Sequence, residues 1–481
     1  MKTLLIQPPH YYEGGKRPPE SFPLGLAYIS RALLDAKVDV EILDIWAHDY
    51  NQDQVIEKIK EMKYDIVGIS AISSQYGYVK WLANELKKIS DVPIVVGGAL
   101  ATLSPDIVIK NSKVDVCVIG EGEVTAVEVA KNINDLRDVD GIFFKENKKI
   151  VVNKPREYRK NLDEIPFPAW DVLPIEIYFR NMRIGKFSNL RTMNVISARG
   201  CPFRCRFCSK TFKGVRLRSV KNIIKEIKEL RKRFGIEAIA FSDELVVVNK
   251  ERTYELCDEL EKLNIIWGCQ GRVNTVDLDL LKRMKEAGCV DIGYGIESGS
   301  QKILDNMNKQ ITVQQSEQAI EDAFKAKINV APQMMFGYPG ETRKTLLETV
   351  DFFKRIKYVG GVGLSITTAL PGTELYEYAK SKGLIKNEDE YLESLSDGYM
   401  KDKSKDSKSF INFTEFDKEE FFRLKGLVEH AIFLSQMKRY PLRLLKEYFS
   451  EIKPSLRSYG YKYMMKRAFV LINRLLASKS S

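Results

Sequence analysis

The chain has little histidine and little cysteine: three of the first and seven of the second in 481 residues. A disulfide framework calls for dense, even-numbered cysteines in a small secreted chain, and this count is sparse and odd. The N-terminus lacks the charged n-region and small-residue cleavage site of a secretory leader. No second cysteine pair and no nearby histidine completes the four-ligand set of a structural zinc site. Long apolar runs are also missing. None approaches the roughly 20 residues of a membrane-spanning helix, so the expectation is a protein that is not integral to a membrane. What remains, 44% hydrophobic and 29% charged residues, fits a folded, soluble chain long enough for two or three domains.

One sign of charge is concentrated. Residues 421–481 hold 13 Lys/Arg against three acids, Glu429, Glu447 and Glu451, while the whole chain carries +11. The first 420 residues are therefore near neutral, which argues against nucleic acid as a partner. Any anionic partner should meet the C-terminal tail. Basic and apolar residues recur at helical spacing over 461–476, a pattern that fits a helical cap with a solvated basic face or an interfacial helix on anionic lipid. The expected compartment is the cytoplasm, with peripheral contact at the inner membrane face through this tail.

Residues 1–140 alternate apolar strands with amphipathic helices. Strands are predicted at Thr3–Ile6, Val38–Leu43, Ile66–Ile69, Ile94–Val96 and Val116–Ile119, and helices at Leu24–Ala36, Gln52–Met62 and Tyr76–Ile89. That rhythm implies a doubly wound, Rossmann-like parallel sheet, whose ligands sit beyond the strand C-terminal ends. Ser70, Ser73, Gly97, Gly98, Gly120, Glu121 and Gly122 stand at those ends. Residues 141–190 read as a hairpin and a proline-broken linker. From 191 to 385 six more strand–helix units follow, with strands at Thr192–Ser197, Ala238–Phe241, Ile266–Gln270, Val290–Ile296, Ala331–Phe336 and Gly363–Thr368. They predict a partial (β/α)6 barrel with its chemistry at the strand C-terminal ends. Residues 386–481 complete the chain as a lysine- and serine-rich loop (401–409) and a basic helical region; there is no internal repeat.

Three of the seven cysteines stand together. Cys201, Cys205 and Cys208, spaced CxxxCxxC, follow the first of the six strands. Iron–sulfur clusters are normally held by four thiolates. Three close cysteines ligate three irons of a cubane and leave the fourth open to bind and reduce a small molecule, which points to a catalytic centre rather than an electron wire. Cys117, Cys257, Cys269 and Cys289 lie in apolar or helical surroundings and read as core.

The wording around these cysteines resembles a known family. CxxxCxxC with Phe207 before its last cysteine is similar to the signature of radical S-adenosylmethionine (SAM) enzymes, and residues 1–140 resemble the cobalamin-binding domain fused to many of them. Ser197-Ala198-Arg199-Gly200-Cys201-Pro202-Phe203, Phe241-Ser242-Asp243-Glu244, Gly295-Ile296-Glu297-Ser298-Gly299, Gly337-Tyr338-Pro339-Gly340-Glu341-Thr342 and Pro371-Gly372-Thr373 carry the likeness over about 385 residues. The group it points to contains the anaerobic Mg-protoporphyrin ester cyclase, cobalamin-dependent methyltransferases and hopanoid-processing enzymes.

The resemblance implies a [4Fe–4S] cluster on Cys201, Cys205 and Cys208 that cleaves SAM to methionine and a 5′-deoxyadenosyl radical. It implies Phe207 near the adenine, and Asp243 and Glu244 beside SAM with Glu244 accepting from its amino group. Arg272 would pair with the SAM carboxylate, Glu297 or Ser298 would bond the ribose, and Gly337 and Gly340 would admit the adenine. Cobalamin is expected along the Ser70/Ser73, Gly97-Gly98 and Gly120–Glu123 edge. The chain has no DxHxxG motif, and its histidines, His10, His48 and His430, do not supply one, so the cobalt is expected to lack a protein histidine. The expected activity is methylation of an unactivated carbon on an apolar or lipid-like substrate, with SAM also remethylating the cobalamin. Oxidative cyclisation or rearrangement uses the same visible residues, and a sensor that binds cobalamin or a cluster without turnover is the reading from another class. Flavodoxin or ferredoxin would be the reductant. An open cluster makes the protein oxygen-sensitive.

Overall fold

A computed structural model of the chain describes residues 1–442 apart from 13–14, 17–18, 186, 188–189, 358, 360–361 and 402–408. The basic stretch at 461–476, and with it the predicted membrane contact, lies outside the described residues. No helix among the described residues is long and apolar enough to cross a membrane. The chain divides into two compact units, one of Met1–Tyr178, Phe207–Arg216 and Ala369–Phe410, the other of Phe179–Arg206, Leu217–Thr368 and the described residues from Ile411.

In the first unit β1 (Lys2–Gln7), β2 (Asp39–Asp44), β3 (Ile66–Ser70), β4 (Ile94–Gly97), β5 (Val116–Val118), β6 (Ile142–Glu146) and β7 (Lys149–Val152) form one sheet in the order β2-β1-β3-β4-β5-β6-β7. The first five are parallel. Their apolar residues, Leu4, Ile6, Val67, Val96 and Cys117 among them, are buried, as a parallel sheet covered on both faces requires. Helices α1 (Leu24–Asp35), α2 (Gln52–Glu61), α3 (Tyr76–Ile89) and α4 (Gly122–Lys131) supply the cover. Asn51 and Gln54 form a capping box that starts α2. The hairpin read with the linker extends this sheet: β6 pairs antiparallel with β5 because Ile142 and Phe144 bury their side chains.

The second unit carries β8 (Thr192–Val195), β9 (Ala238–Phe241), β10 (Ile266–Gly271), β11 (Cys289–Glu297), β12 (Asn329–Phe336) and β13 (Gly363–Ile366), all parallel and paired in chain order. Among the described residues the first and last strands do not pair, so the barrel is open, as six units predict. Helices α5 (Val220–Phe234), α6 (Lys250–Leu263), α7 (Leu278–Glu286), α8 (Val313–Lys325) and α9 (Arg343–Arg355) connect the strands. Right-handed βαβ crossovers of this kind set every strand C-terminus on one rim.

The C-terminal region is shared between the units. Helix α10 (Glu388–Lys401) belongs to the first. Tyr76 Oη donates to Asp389 at 2.5 Å, and Lys80 pairs with Asp389 at 2.7 Å and Glu393 at 3.0 Å. Helix α11 (Lys418–Arg439) belongs to the second, where the Phe421 ring meets Phe336 edge-on at 4.9 Å.

Candidate active site

In the second unit the strand-end residues gather into three local constellations. The first surrounds Cys201 and Cys205, on the irregular segment after β8; the same segment continues to Cys208, which belongs to the first unit. Cys201 and Cys205 are half-buried, Cys208 is exposed, and none of the three is in a disulfide. Arg272, one residue past β10, donates from Nη1 to Cys205 Sγ at 3.8 Å and lies over the Phe203 ring at 3.7 Å. Its Nη2 is buried with no hydrogen-bond partner, an orphaned donor of the kind an anionic group satisfies. Hydrogen bonds to its backbone fix the loop: Arg206 N donates to Met307 O at 3.0 Å and the Asn308 side chain, through Nδ2, to Arg204 O at 2.7 Å. Among the described residues no three His, Cys, Asp or Glu side chains are drawn together as a metal-binding group.

The second constellation is Asp243, just past β9. Its Oδ1 accepts from Ser197 N at 2.7 Å and Ala198 N at 2.6 Å, and its Oδ2 is buried with no partner. Burial pushes this carboxyl up to about 7 against the lowering pull of those amides. Asp243 thus anchors the entry to the cysteine loop, while its neighbour Glu244 is exposed.

The third is Glu297, the last residue of β11, at φ +67°. It accepts from Lys309 Nζ at 2.7 Å, and both side chains are at most one-tenth exposed. Gly295 makes room for the pair: a Cβ there would lie 2.6 Å from Glu297 Oε1 and 3.0 Å from Lys309 Nζ. Ser298 is buried, its Oγ accepting from Ser300 N at 3.1 Å and sharing a 3.4 Å contact with Thr349 Oγ1. Gly299 lets α9 approach, since a Cβ would sit 2.6 Å from Thr349 Cα. Sequence reasoning missed Lys309; a single lysine in an irregular segment gives no periodic signal, and only the fold sets it against Glu297.

Gly337 and Gly340 adopt φ +85° and +89°. The room left by their missing side chains goes to protein: Cβ atoms there would meet the Phe421 ring and Asn306 Nδ2, each at 2.6 Å. Their loop is tied by Glu341, which accepts from Gly337 N at 2.6 Å and whose carboxyl burial pushes up to about 7. A carboxyl raised from 4.5 favours folding most below that value and loses its contribution as pH rises to 7. Glu341→Gln keeps the acceptor and removes the titration. Wild-type protein should therefore lose stability relative to the variant between those pH values, by on the order of 3 kcal/mol, and run parallel to it above pH 7. Urea unfolding midpoints across that range check this.

In the first unit Ser70 pairs with Gly97 across β3 and β4. Gly98, at φ +84°, approaches Ala71 so closely that a Cβ would lie 2.6 Å from Ala71 O. Ser73 is buried beside them in chain sequence, and Gly120 N donates to Thr102 Oγ1 at 3.0 Å. Ser70, Gly97 and Gly120 thus stand at or just past the C-terminal ends of β3, β4 and β5. Gly122 lets α4 pack on α1, with a Cβ 2.8 Å from Ile29. Glu121 is engaged otherwise: it makes a bidentate pair with Arg216 at 3.0 and 2.9 Å and accepts from Arg159 N at 3.1 Å. Arg216 also lies over the Tyr158 and Phe212 rings. With Ser209 Oγ donating to Pro371 O at 3.2 Å and Tyr158 Oη to Thr211 O at 3.1 Å, these contacts hold the segment carrying Phe207 and Cys208. A cavity of about 170 Å³ opens beyond β1, lined by Pro9, His10, Gln75, Tyr78, Trp81 and Ser396 among others. His10 packs edge-on against Trp46 there, at 4.5 Å.

Fold and site together define an enzyme with an open parallel barrel and a three-cysteine loop, preceded by a Rossmann-like cofactor domain. Residues 195–353 match the family described as the radical SAM superfamily, and residues 14–130 match the B12 binding domain. An uncharacterized methyltransferase of Pyrococcus horikoshii is 35% identical over 80% of this chain and 84% of its own length. The anaerobic magnesium-protoporphyrin IX monomethyl ester cyclase of Rubrivivax gelatinosus is 33% identical over 73% of this chain, which spans 65% of that cyclase. Among solved structures, the cobalamin-dependent S-adenosylmethionine radical enzyme OxsB with aqua-cobalamin bound shares the fold. Its TM-score is 0.69 at 18% identity, over all of this chain and 80% of that one. The chain belongs to the radical SAM superfamily, in the group that carries a B12 binding domain. That membership sets the sensor reading aside.

Proposed function

We propose that this protein is a cobalamin-dependent radical SAM methyltransferase acting on an unactivated carbon of an apolar or lipid-like small molecule. The observation that carries the reading is the buried, orphaned Arg272 donor beside Cys205 at the rim of an open parallel barrel, in a chain whose first unit matches a B12 binding domain. When bound, the cluster supplies an electron to SAM, and cobalamin supplies the methyl group; such cofactors carry the hard chemistry while the protein orients and excludes water. Cys201, Cys205 and Cys208 would close the irregular loop on the cluster. Asp243 holds the entry to that loop through two amides, and Arg272 and the exposed Glu244 offer opposite charges to a zwitterionic ligand. Glu297, held by Lys309, offers a fixed acceptor for hydroxyls. In the first unit the Ser70, Ser73, Gly97-Gly98 and Gly120 edge would take cobalamin. Glu121 would serve it indirectly, by fixing Arg216. The apolar character of the substrate rests on the basic and apolar tail sequence, and flavodoxin or ferredoxin would provide the electron.

Protein purified without oxygen from cells supplied with cobalamin should carry it in about one-to-one amount, with the visible spectrum of the base-off form. A filled cluster beside an empty first unit would overturn the methyl-transfer reading. The cyclase likeness gives the second outcome to watch: turnover with methyl-labelled SAM that yields deoxyadenosine, and a product free of label, would move the assignment to cyclisation.

A further inference from the structure

We infer that Arg272 is a positioning residue that sets the electron affinity of the cluster through the Cys205 sulfur. The inference rests on the reading of Cys201, Cys205 and Cys208 as cluster ligands and goes beyond it. Arg272 is 7% exposed, and among the described residues no carboxylate pairs with it. Its contacts are Cys205 Sγ from Nη1 at 3.8 Å, Asn274 Oδ1 from Nε at 3.0 Å and the Phe203 ring, with Nη2 left without an acceptor. A buried guanidinium lacking a counter-ion is strongly destabilising unless a bound anion balances it. A cluster held by Cys205 would be such an anion, and Nη1 already donates to that sulfur.

The geometry also shows why arginine stands here. The planar guanidinium stacks on Phe203 while one arm of its fork reaches the sulfur and the other stays buried without an acceptor, which a lysine ammonium cannot do. Asn274 fixes the third donor, so the plane has little freedom. Hydrogen bonds to cluster sulfurs and nearby charge set the potential of iron–sulfur centres. When an external one-electron donor reduces the cluster, one negative charge is added and no bond is made or broken. A fixed cation beside a ligand sulfur favours that reduced state, so Arg272 raises the reduction potential.

The test measures the cluster's midpoint potential in the full chain, anaerobically reconstituted and free of SAM, by dithionite titration followed by EPR. Arg272→Gln should fall to a more negative potential, with the reduced-to-oxidised ratio at fixed potential down about tenfold, or 59 mV for one electron. Arg272→Lys, which keeps the charge and loses the fork, should fall between the two. A Gln variant loaded with wild-type iron and showing the wild-type potential would overturn the inference, leaving Arg272 as a SAM-binding residue alone. If that variant takes up no iron, Phe203→Leu carries the test with the Lys variant. A negative shift in either supports the assignment, and wild-type potentials in both overturn it. Wild-type protein that assembles no cluster at all would instead overturn the cluster reading itself.

Discussion

Cys205→Ala protein, reconstituted without oxygen, should hold at most a few per cent of wild-type iron and release no deoxyadenosine from SAM above background. Three thiolates are the minimum that leaves one iron of a cubane open, and the loop has no spare ligand. Its three cysteines are the only ones between residues 118 and 256, and Cys117, Cys257, Cys269 and Cys289 are buried. Burial also pushes the Cys117 and Cys257 thiols up to about 12, which keeps them protonated and poor as ligands. Iron analysis and a deoxyadenosine assay check both halves. Wild-type turnover in the variant would remove the cluster from the mechanism. The loss should be confined to the cofactor, because Cys205 is half-buried on an irregular loop and its truncation leaves no core cavity.

Glu297→Ala should lower the stability of the cofactor-free protein by about 3 kcal/mol and abolish high-affinity SAM binding. The pair of Glu297 and Lys309 is nearly sealed from water, with side-chain exposures of 10% and 8%. Removing one partner of such a pair leaves a buried charge uncompensated, an effect of about 3–5 kcal/mol. Adding Lys309→Met to Glu297→Ala should restore most of the stability and none of the SAM binding. Urea unfolding and equilibrium dialysis with labelled SAM separate the two effects. Full SAM affinity in the single variant would take Glu297 out of the binding site. Its left-handed backbone is a second constraint, since a non-glycine residue at positive φ persists only where the surroundings hold it.

Much of the candidate site is legible in the sequence. Cys201, Cys205 and Cys208 declare themselves by spacing, because three thiols within eight residues can converge on one cluster without help from distant chain. Arg272, Asp243 and Glu297 were legible as strand-end residues because the alternation of apolar strands and amphipathic helices fixes where each strand stops. Their partners were not. Lys309, Asn274 and Phe203 lie 12, two and 69 residues from the groups they serve, and no periodicity links such separations. Gly337 and Gly340 show the same limit from the other side. Positive φ explains why they are glycine, but the occupants of the space, Phe421 and Asn306, come from distant parts of the chain. Glu121 is the sharpest case: its place at a strand end points toward a cofactor, whereas the fold gives its carboxylate to Arg216.

The sequence by itself determined the two parallel α/β sheets, their strand-end rims and the three-thiol loop, since all of these follow from local hydrophobic period and short spacing. Only the tertiary structure decided that α10 returns to the first unit through Tyr76, Lys80 and Asp389, that β6 and β7 extend the first sheet, and that Arg272 lies buried against Phe203 and Cys205. The reason is physical. Local pattern sets which face of an element is apolar, whereas pairing between charges and rings depends on which elements meet, and that is fixed by packing of the whole core.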